Sequence, residues 1–215
     1  IAGEMIGCIG VTEEGSGSDE SSVRSFARKD GADYVISGNK MFITNSIQAD
    51  WMCMLCNTDE DNGPHRNKTL IMVPLNDPAV SRSQLKKLGL HCSDTGHLHF
   101  DEVRVPQRYR IGEEGMGFKY QMEQFQEERM FSVARTCTAL EMALEETIEY
   151  TRQRIAFGRP VLDNQVMHYK MADIQSQIEA ARALLYRAVD IYTAGGEVTK
   201  LASMAKYLIG VAASE

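Results

Sequence analysis

The chain has 215 residues, 43% of them apolar and 25% charged, and carries a formal net charge of −7 at pH 7. That is enough chain to bury a sizeable core in one large or two small domains. No basic block suited to a nucleic-acid backbone occurs, and no apolar stretch approaches the roughly 20 residues needed to cross a bilayer.

The start at Ile1, with neither an initiating methionine nor a targeting segment, reads as a fragment or a processed form. Residues 1 to about 105 carry β signals, short runs rich in Val, Ile, Phe, Thr and Tyr punctuated by Gly, Asn, Asp and Pro. An apolar strand is expected over Ile6 to Val11. Tyr34 to Ile36, then Ser37-Gly38-Asn39, then Lys40 to Thr44 reads as strand, tight turn, strand. Further strands are expected at Trp51 to Asn57, Thr69 to Pro74, Leu98 to Phe100 and Val103 to Val105, with a polar loop from Thr58 to Lys68.

After Pro106 the period changes. Leu140, Leu144, Ile148 and Thr151 fall at helical spacing, as do Met167, Met171, Ile174, Ile178, Ala181, Leu185, Val189 and Tyr192. The second series stops at Gly195-Gly196, and a third helix begins near Val198. The expected fold class is α+β in two domains. An antiparallel β-barrel or sandwich over 1–106 leads into the first long helices of an up-and-down bundle over 107–215. Long helices with one apolar face need partners, so further sequence or other subunits are expected to cover them.

The five cysteines, Cys8, Cys53, Cys56, Cys92 and Cys137, are odd in number and widely spread, which fits free thiols in a reducing compartment. Cys53 and Cys56 form a C-x-x-C, with His91, Cys92, His97 and His99 downstream, so a zinc-stabilised β module is an alternative reading. On a strand, however, positions three apart face opposite sides, so this pair does not converge on one ion. No metal is expected.

The run from Gly10 to Asp19 follows the first strand and ends in Gly15-Ser16-Gly17-Ser18, where backbone N–H groups and hydroxyls can approach a phosphate closely. The wider pattern from Gly10 to Ser22 is small, aliphatic, Thr, Glu, two free positions, small, Gly, Ser, Asp, two free positions, small. It matches the signature of the acyl-CoA dehydrogenases without a departure. Three further stretches resemble that family in the same order. They are Lys40 to Asn45, where the family often has Trp in place of Phe42; Ser93-Asp94-Thr95 followed by Phe100 to Pro106; and Arg154-Ile155-Ala156-Phe157-Gly158 with Gln165 eleven residues after Arg154.

The resemblance implies a middle β domain and the start of a C-terminal helical domain, with the family's N-terminal helical domain and later helices absent. It implies FAD as cofactor, an acyl-CoA substrate, a homodimer or homotetramer, and reoxidation by electron-transferring flavoprotein. The compartment implied is the mitochondrial matrix for a eukaryotic source and the cytoplasm for a bacterial one. Residue by residue, it implies that Ile9, Val11, Thr12, Gly17 and Ser18 contact FAD, with Ser18 shared with the thioester. Phe42 and Ile43 would lie beside the flavin ring, although plain strand core is also open for both. Thr44 would sit by flavin N5, and Arg154, Phe157 and Gln165 would reach the FAD of a neighbouring subunit.

Removing the α proton of a thioester needs a dry carboxylate base. Phe125-Gln126-Glu127-Glu128-Arg129 offers two acids near the start of the first long helix. By composition alone these are a solvated face. Resemblance to the isovaleryl and long-chain types implies Glu128 as the base, with Gln126, Glu127 and Arg129 toward the CoA. A competing expectation is a dehydrogenase fold without activity, serving a structural or interaction role.

Overall fold

In the computed structural model, which describes residues 2–215, the chain divides into two compact units, 1–121 and 122–215. The first begins with β1 (Gly7–Gly10), a single helical turn at Glu20–Ser22, β2 (Phe26–Asp30) and β3 (Asp33–Thr44). It continues with β4 (Trp51–Asn57), β5 (Lys68–Pro74), β6 (Val80–Gln84), β7 (Thr95–Pro106) and the short β8 (Arg110–Ile111). These form one sheet in the order β6-β7-β3-β2-β4-β5-β8, with β1 paired to β4.

Strand β4 shows why the sheet takes this form. Met52, Met54 and Cys56 enter a cluster with Tyr34, Ile36, Ile71, Leu98 and Phe100, drawn from both ends of the strand order, so the sheet folds over on itself. Cys53 and Leu55 point the other way, into a smaller cluster with Val11, Val23 and Leu70. Apolar surface on both faces explains the unbroken run from Trp51 to Cys56. The two cysteines three apart accordingly lie in different clusters. Burial raises the Cys53 thiol to about 11 and the Cys56 thiol to about 12.

Three expectations require correction. Ser37-Gly38-Asn39 is not a hairpin turn, because β3 runs unbroken for 12 residues. Gly38 is there because the chain crosses Ser25 closely: a Cβ at Gly38 would stand 2.7 Å from Ser25 Cα, and its φ is +146°. A residue pair that looks like a turn signal thus marks a close backbone approach. The strands expected at Leu98 to Phe100 and Val103 to Val105 are one strand, β7, which carries an extra residue where Ile36↔Val103 gives way to Gly38↔Phe100. The sheet is also not purely antiparallel, since β1 runs parallel to β4.

The second unit holds most of α1 (Gly117–Gln153), a small hairpin of β9 (Ile155–Ala156) and β10 (Arg159–Pro160), α2 (Gln165–Thr193) and α3 (Thr199–Ala212). Met130, Val133 and Cys137 of α1 pack with Ile178, Ala181, Leu185 and Ala188 of α2 and with Ala202, Ala205, Ile209 and Ala212 of α3. The alanines every three or four residues on α3 make a smooth strip on which its neighbours can lie closely. Helix α2 ends against Gly195 in the left-handed conformation (φ +79°), with the Gly196 amide donating to Ile191 O at 2.8 Å. Among the described residues no helix is long and apolar enough to cross a membrane.

Candidate active site

The glycine-rich loop is fastened to the sheet by a buried ion pair. Lys40 is fully buried, and its Nζ donates to Val11 O at 3.0 Å, Leu55 O at 2.8 Å and Glu13 Oε1 at 2.8 Å. The second Glu13 oxygen accepts from Arg24 N at 2.6 Å, while Ser25 N donates to Oε1 at 3.1 Å. Burial would raise the Glu13 carboxyl, but the Lys40 ammonium and these amides outweigh it and hold the group below the usual carboxylate range. The far end is tied by Asp19, whose carboxylate accepts from Ser21 N at 3.1 Å and whose carbonyl accepts from Ser16 Oγ at 2.6 Å. Between these ties Gly15, Gly17 and Ser18 stand exposed. A Cβ at either glycine would meet nothing within 4 Å, and neither has a left-handed φ, so nothing in the chain's own packing calls for glycine there.

The aromatic strand is distorted where the loop meets it. The Met41 amide donates to Thr12 O at 2.9 Å instead of to β7. The β3–β7 ladder consequently skips from Lys40↔Leu98 to Ile43↔Gly96, leaving one extra residue on β3. Phe42 takes φ +61°, rare for a residue with a Cβ, and is 65% exposed. Thr44 is exposed as well, and Ile9 is 40% exposed, whereas Val11 is buried and Ile43 lies in the core. Plain strand core, one of the two readings held for Phe42 and Ile43, describes Ile43 and does not describe the exposed Phe42. Ile43 and Val11 offer a neighbour only their backbones.

In the helical unit, Glu128 is exposed and its Oε1 accepts from Gln124 Nε2 at 2.7 Å. Glu127, one position earlier, accepts from the Tyr192 hydroxyl of α2, and that bond holds the phenol's pKa up. Gln126 donates to Met122 O at 3.2 Å, while its Oε1 is buried without a partner among the described residues. Arg129 lines an open groove of about 560 Å³ with Ser203, Lys206, Tyr207 and Ser214, a lining with two cations and no acid. Arg154, Phe157 and Gln165 are all exposed, with Phe157 at φ +55° on the tip of the β9–β10 hairpin.

Reading the sequence for ligand contacts missed the residues that hold these groups in place. Lys40 sits at an inward-facing position of an apolar strand, a placement that signals a buried partner. Asp94, which accepts from the Asn45 and Ile47 amides, and Arg82, which donates to the Ser46, Ile47, Ala49 and Leu75 carbonyls, carried no such signal, because their partners are backbone atoms.

Residues 8–103 match the model of the acyl-CoA dehydrogenase middle domain, and residues 115–215 match that of the acyl-CoA dehydrogenase C-terminal domain. The chain belongs to the acyl-CoA dehydrogenase family. It is 38% identical to an acyl-CoA dehydrogenase of Bacillus subtilis over 213 residues, which is 99% of this chain and 56% of that protein. Its fold is similar to the crystal structure of acyl-CoA dehydrogenase from Geobacillus kaustophilus, with TM-score 0.93 and 38% identity over 98% of this chain and 56% of that one. It is also similar to a chain of the structure described as electron transferring flavoprotein of Acidaminococcus fermentans, with TM-score 0.92 and 32% identity over 97% and 55% of the two chains. The chain thus spans about half the length of the relatives it matches.

Proposed function

We propose that this chain forms part of an FAD-dependent enzyme that converts an acyl-CoA thioester to the trans-2-enoyl-CoA. The observation that carries the proposal is the exposed, left-handed Phe42, two residues before the exposed Thr44 on the strand whose Met41 amide bonds to Thr12 of the glycine-rich loop. A planar, largely apolar ring system fits that surface, with Phe42 alongside and Thr44 able to donate to a ring nitrogen. Bare backbone at Gly15 and Gly17, with the Ser18 hydroxyl, suits phosphate or amide oxygens. The residues present therefore fit a flavin.

When bound, the flavin supplies the hydride acceptor at N5. Glu128 removes the α proton of the thioester while hydride leaves the β carbon. Thr12 and Ser18 help orient the two ligands, and Gln126, Glu127 and Arg129 face the CoA. A guanidinium beside Lys206 suits its phosphates. Arg154, Phe157 and Gln165 serve the flavin of a second copy in a homo-oligomer, which leaves them exposed in a single chain. The similarity to a chain of the Acidaminococcus fermentans electron transferring flavoprotein structure supports electron-transferring flavoprotein as the oxidant.

Glu128 is exposed in this chain, and a base for an α proton works best when enclosed. That favours, as a second reading, a fold that binds flavin without turnover. One experiment separates the two. Glu128→Gln in the flavin-loaded protein should keep flavin and thioester binding while bleaching of the flavin band by acyl-CoA is lost. Bleaching at the parent rate would remove Glu128 from the reaction, and a parent protein that binds flavin but never bleaches would establish the second reading.

A further inference from the structure

The Ser93-Asp94-Thr95 stretch takes no part in the chemistry proposed above, yet its central residue reaches the segment that presents Phe42 and Thr44. Phe42 (φ +61°) and Asn45 (φ +65°) both adopt the left-handed conformation. For a bulky residue such a conformation persists only where its surroundings over-determine it. After Thr44 the chain turns sharply, with the Gln48 and Ala49 amides donating to Asn45 O at 3.2 and 2.9 Å. Asp94 grips both arms of this turn. Its carbonyl accepts from Asn45 N at 3.2 Å, and its carboxylate Oδ1 accepts from Ile47 N at 3.0 Å.

Arg82 of β6 closes the other side of the same turn. Its Nη1 donates to Ser46 O, Ile47 O and Ala49 O at 3.1, 3.1 and 2.9 Å, and its Nη2 donates to Leu75 O at 2.9 Å. Between the two grips the Ser46 hydroxyl is buried and donates to Ile43 O at 2.8 Å. The fit is tight. A Cβ at Gly96 would come within 2.4 Å of Ser46 Oγ and 2.9 Å of Ile47 Cδ1. The turn therefore has no room to relax toward β7, and its amides and carbonyls are fixed by one acid just before β7 and one base on β6.

We propose that Asp94, with Arg82, is a positioning residue that holds the left-handed Phe42 and the exposed Thr44 facing outward against the flavin ring. A carboxylate suits this task because a charge-assisted hydrogen bond to an amide is stronger than a neutral one. An asparagine at the same place can still offer an acceptor oxygen to Ile47 N, so Asp94→Asn should be intermediate and Asp94→Ala severe. The inference rests on the flavin reading of Phe42 and Thr44.

The test measures two things on the full chain in the parent, Asp94→Asn and Asp94→Ala. The first is amide exchange at Ile47 and its neighbours without flavin. The second is FAD affinity, with the shape of the bound flavin's visible band. Asp94→Ala should speed exchange across Asn45 to Ala49 by roughly 10- to 100-fold, as expected for loss of a hydrogen bond to a charged group. It should also weaken FAD binding by roughly tenfold and alter the visible band, with Asp94→Asn between the two. If Asp94→Ala proves too unstable to purify, Asp94→Asn and Arg82→Lys are read on the same scales. A variant that melts earlier but keeps parent FAD affinity and band shape would overturn the inference while leaving the flavin reading intact. A parent protein that takes up no FAD would overturn both.

Discussion

The strongest single perturbation available in the β unit is Lys40→Met, which keeps the length of the side chain and removes its charge. Lys40 is fully buried, and the Glu13 side chain it meets is only 9% exposed. The substitution strips a donor from the buried carbonyls of Val11 and Leu55 and leaves the Glu13 carboxylate with only two amide partners. Removing one member of a buried pair costs about 3–5 kcal/mol. With a urea m-value of about 2–3 kcal/mol per molar, the unfolding midpoint should fall by at least about 1 M. The chain's single tryptophan, Trp51, lies on β4, so its fluorescence reports on the β unit. The double variant Glu13→Gln with Lys40→Met should lose less than the two single variants together, because no charge is left stranded. The sign with pH follows from Glu13: its folded pKa is depressed, so the pair's stabilisation is present above the ordinary glutamate value and fades as pH falls through the depressed one. Glu13→Gln should flatten that acid limb. A Lys40→Met protein within about 0.5 kcal/mol of the parent would refute the view that this pair fastens the loop.

Three further outcomes are expected. Gly96→Ala should lower stability by about 1–3 kcal/mol by forcing Ser46 and Ile47 off β7, measurable as a fall in the Trp51 midpoint. Phe42→Gly should raise the melting temperature of the flavin-free protein, or leave it unchanged, because it relieves a left-handed φ at an exposed ring. FAD affinity should drop in the same variant, and a clear loss of flavin-free stability would show that the ring supports the fold. Finally, Cys92 is exposed whereas Cys8, Cys56 and Cys137 are buried, with Cys8 and Cys56 raised to about 12, mainly by burial. At pH 8 a thiol reagent should therefore label Cys92 first and those three only on unfolding, which peptide mapping would reveal.

The helical half was largely legible, because apolar spacing survives wherever a helix packs on one face, as Ile178, Ala181 and Leu185 do. The β half was less so. Strand β2 (Phe26–Asp30) reads Phe-Ala-Arg-Lys-Asp, and β6 (Val80–Gln84) is almost wholly polar. Both are strands because neighbours complete their ladders, a nonlocal cause that no short window contains. Gly38 misled for the same reason, since its purpose lies in Ser25, thirteen positions away in the chain. Motif positions identified the loop and the aromatic strand as a pair. The physical link between them, Met41 to Thr12 and Lys40 to Glu13, runs through a backbone amide and a buried charge, which leave no pattern of their own.

Strand β3 is bonded on one side to the glycine-rich loop and on the other, through its closing turn, to Asp94 and Arg82. The loop and the aromatic segment thus share one rigid spine, and neither can be re-aimed alone. A change in loop length would register as a rotation of the Phe42 ring, and a change near Asp94 would register at Thr12. Engineering that seeks to reshape one of these surfaces has to treat them as a single mechanical part.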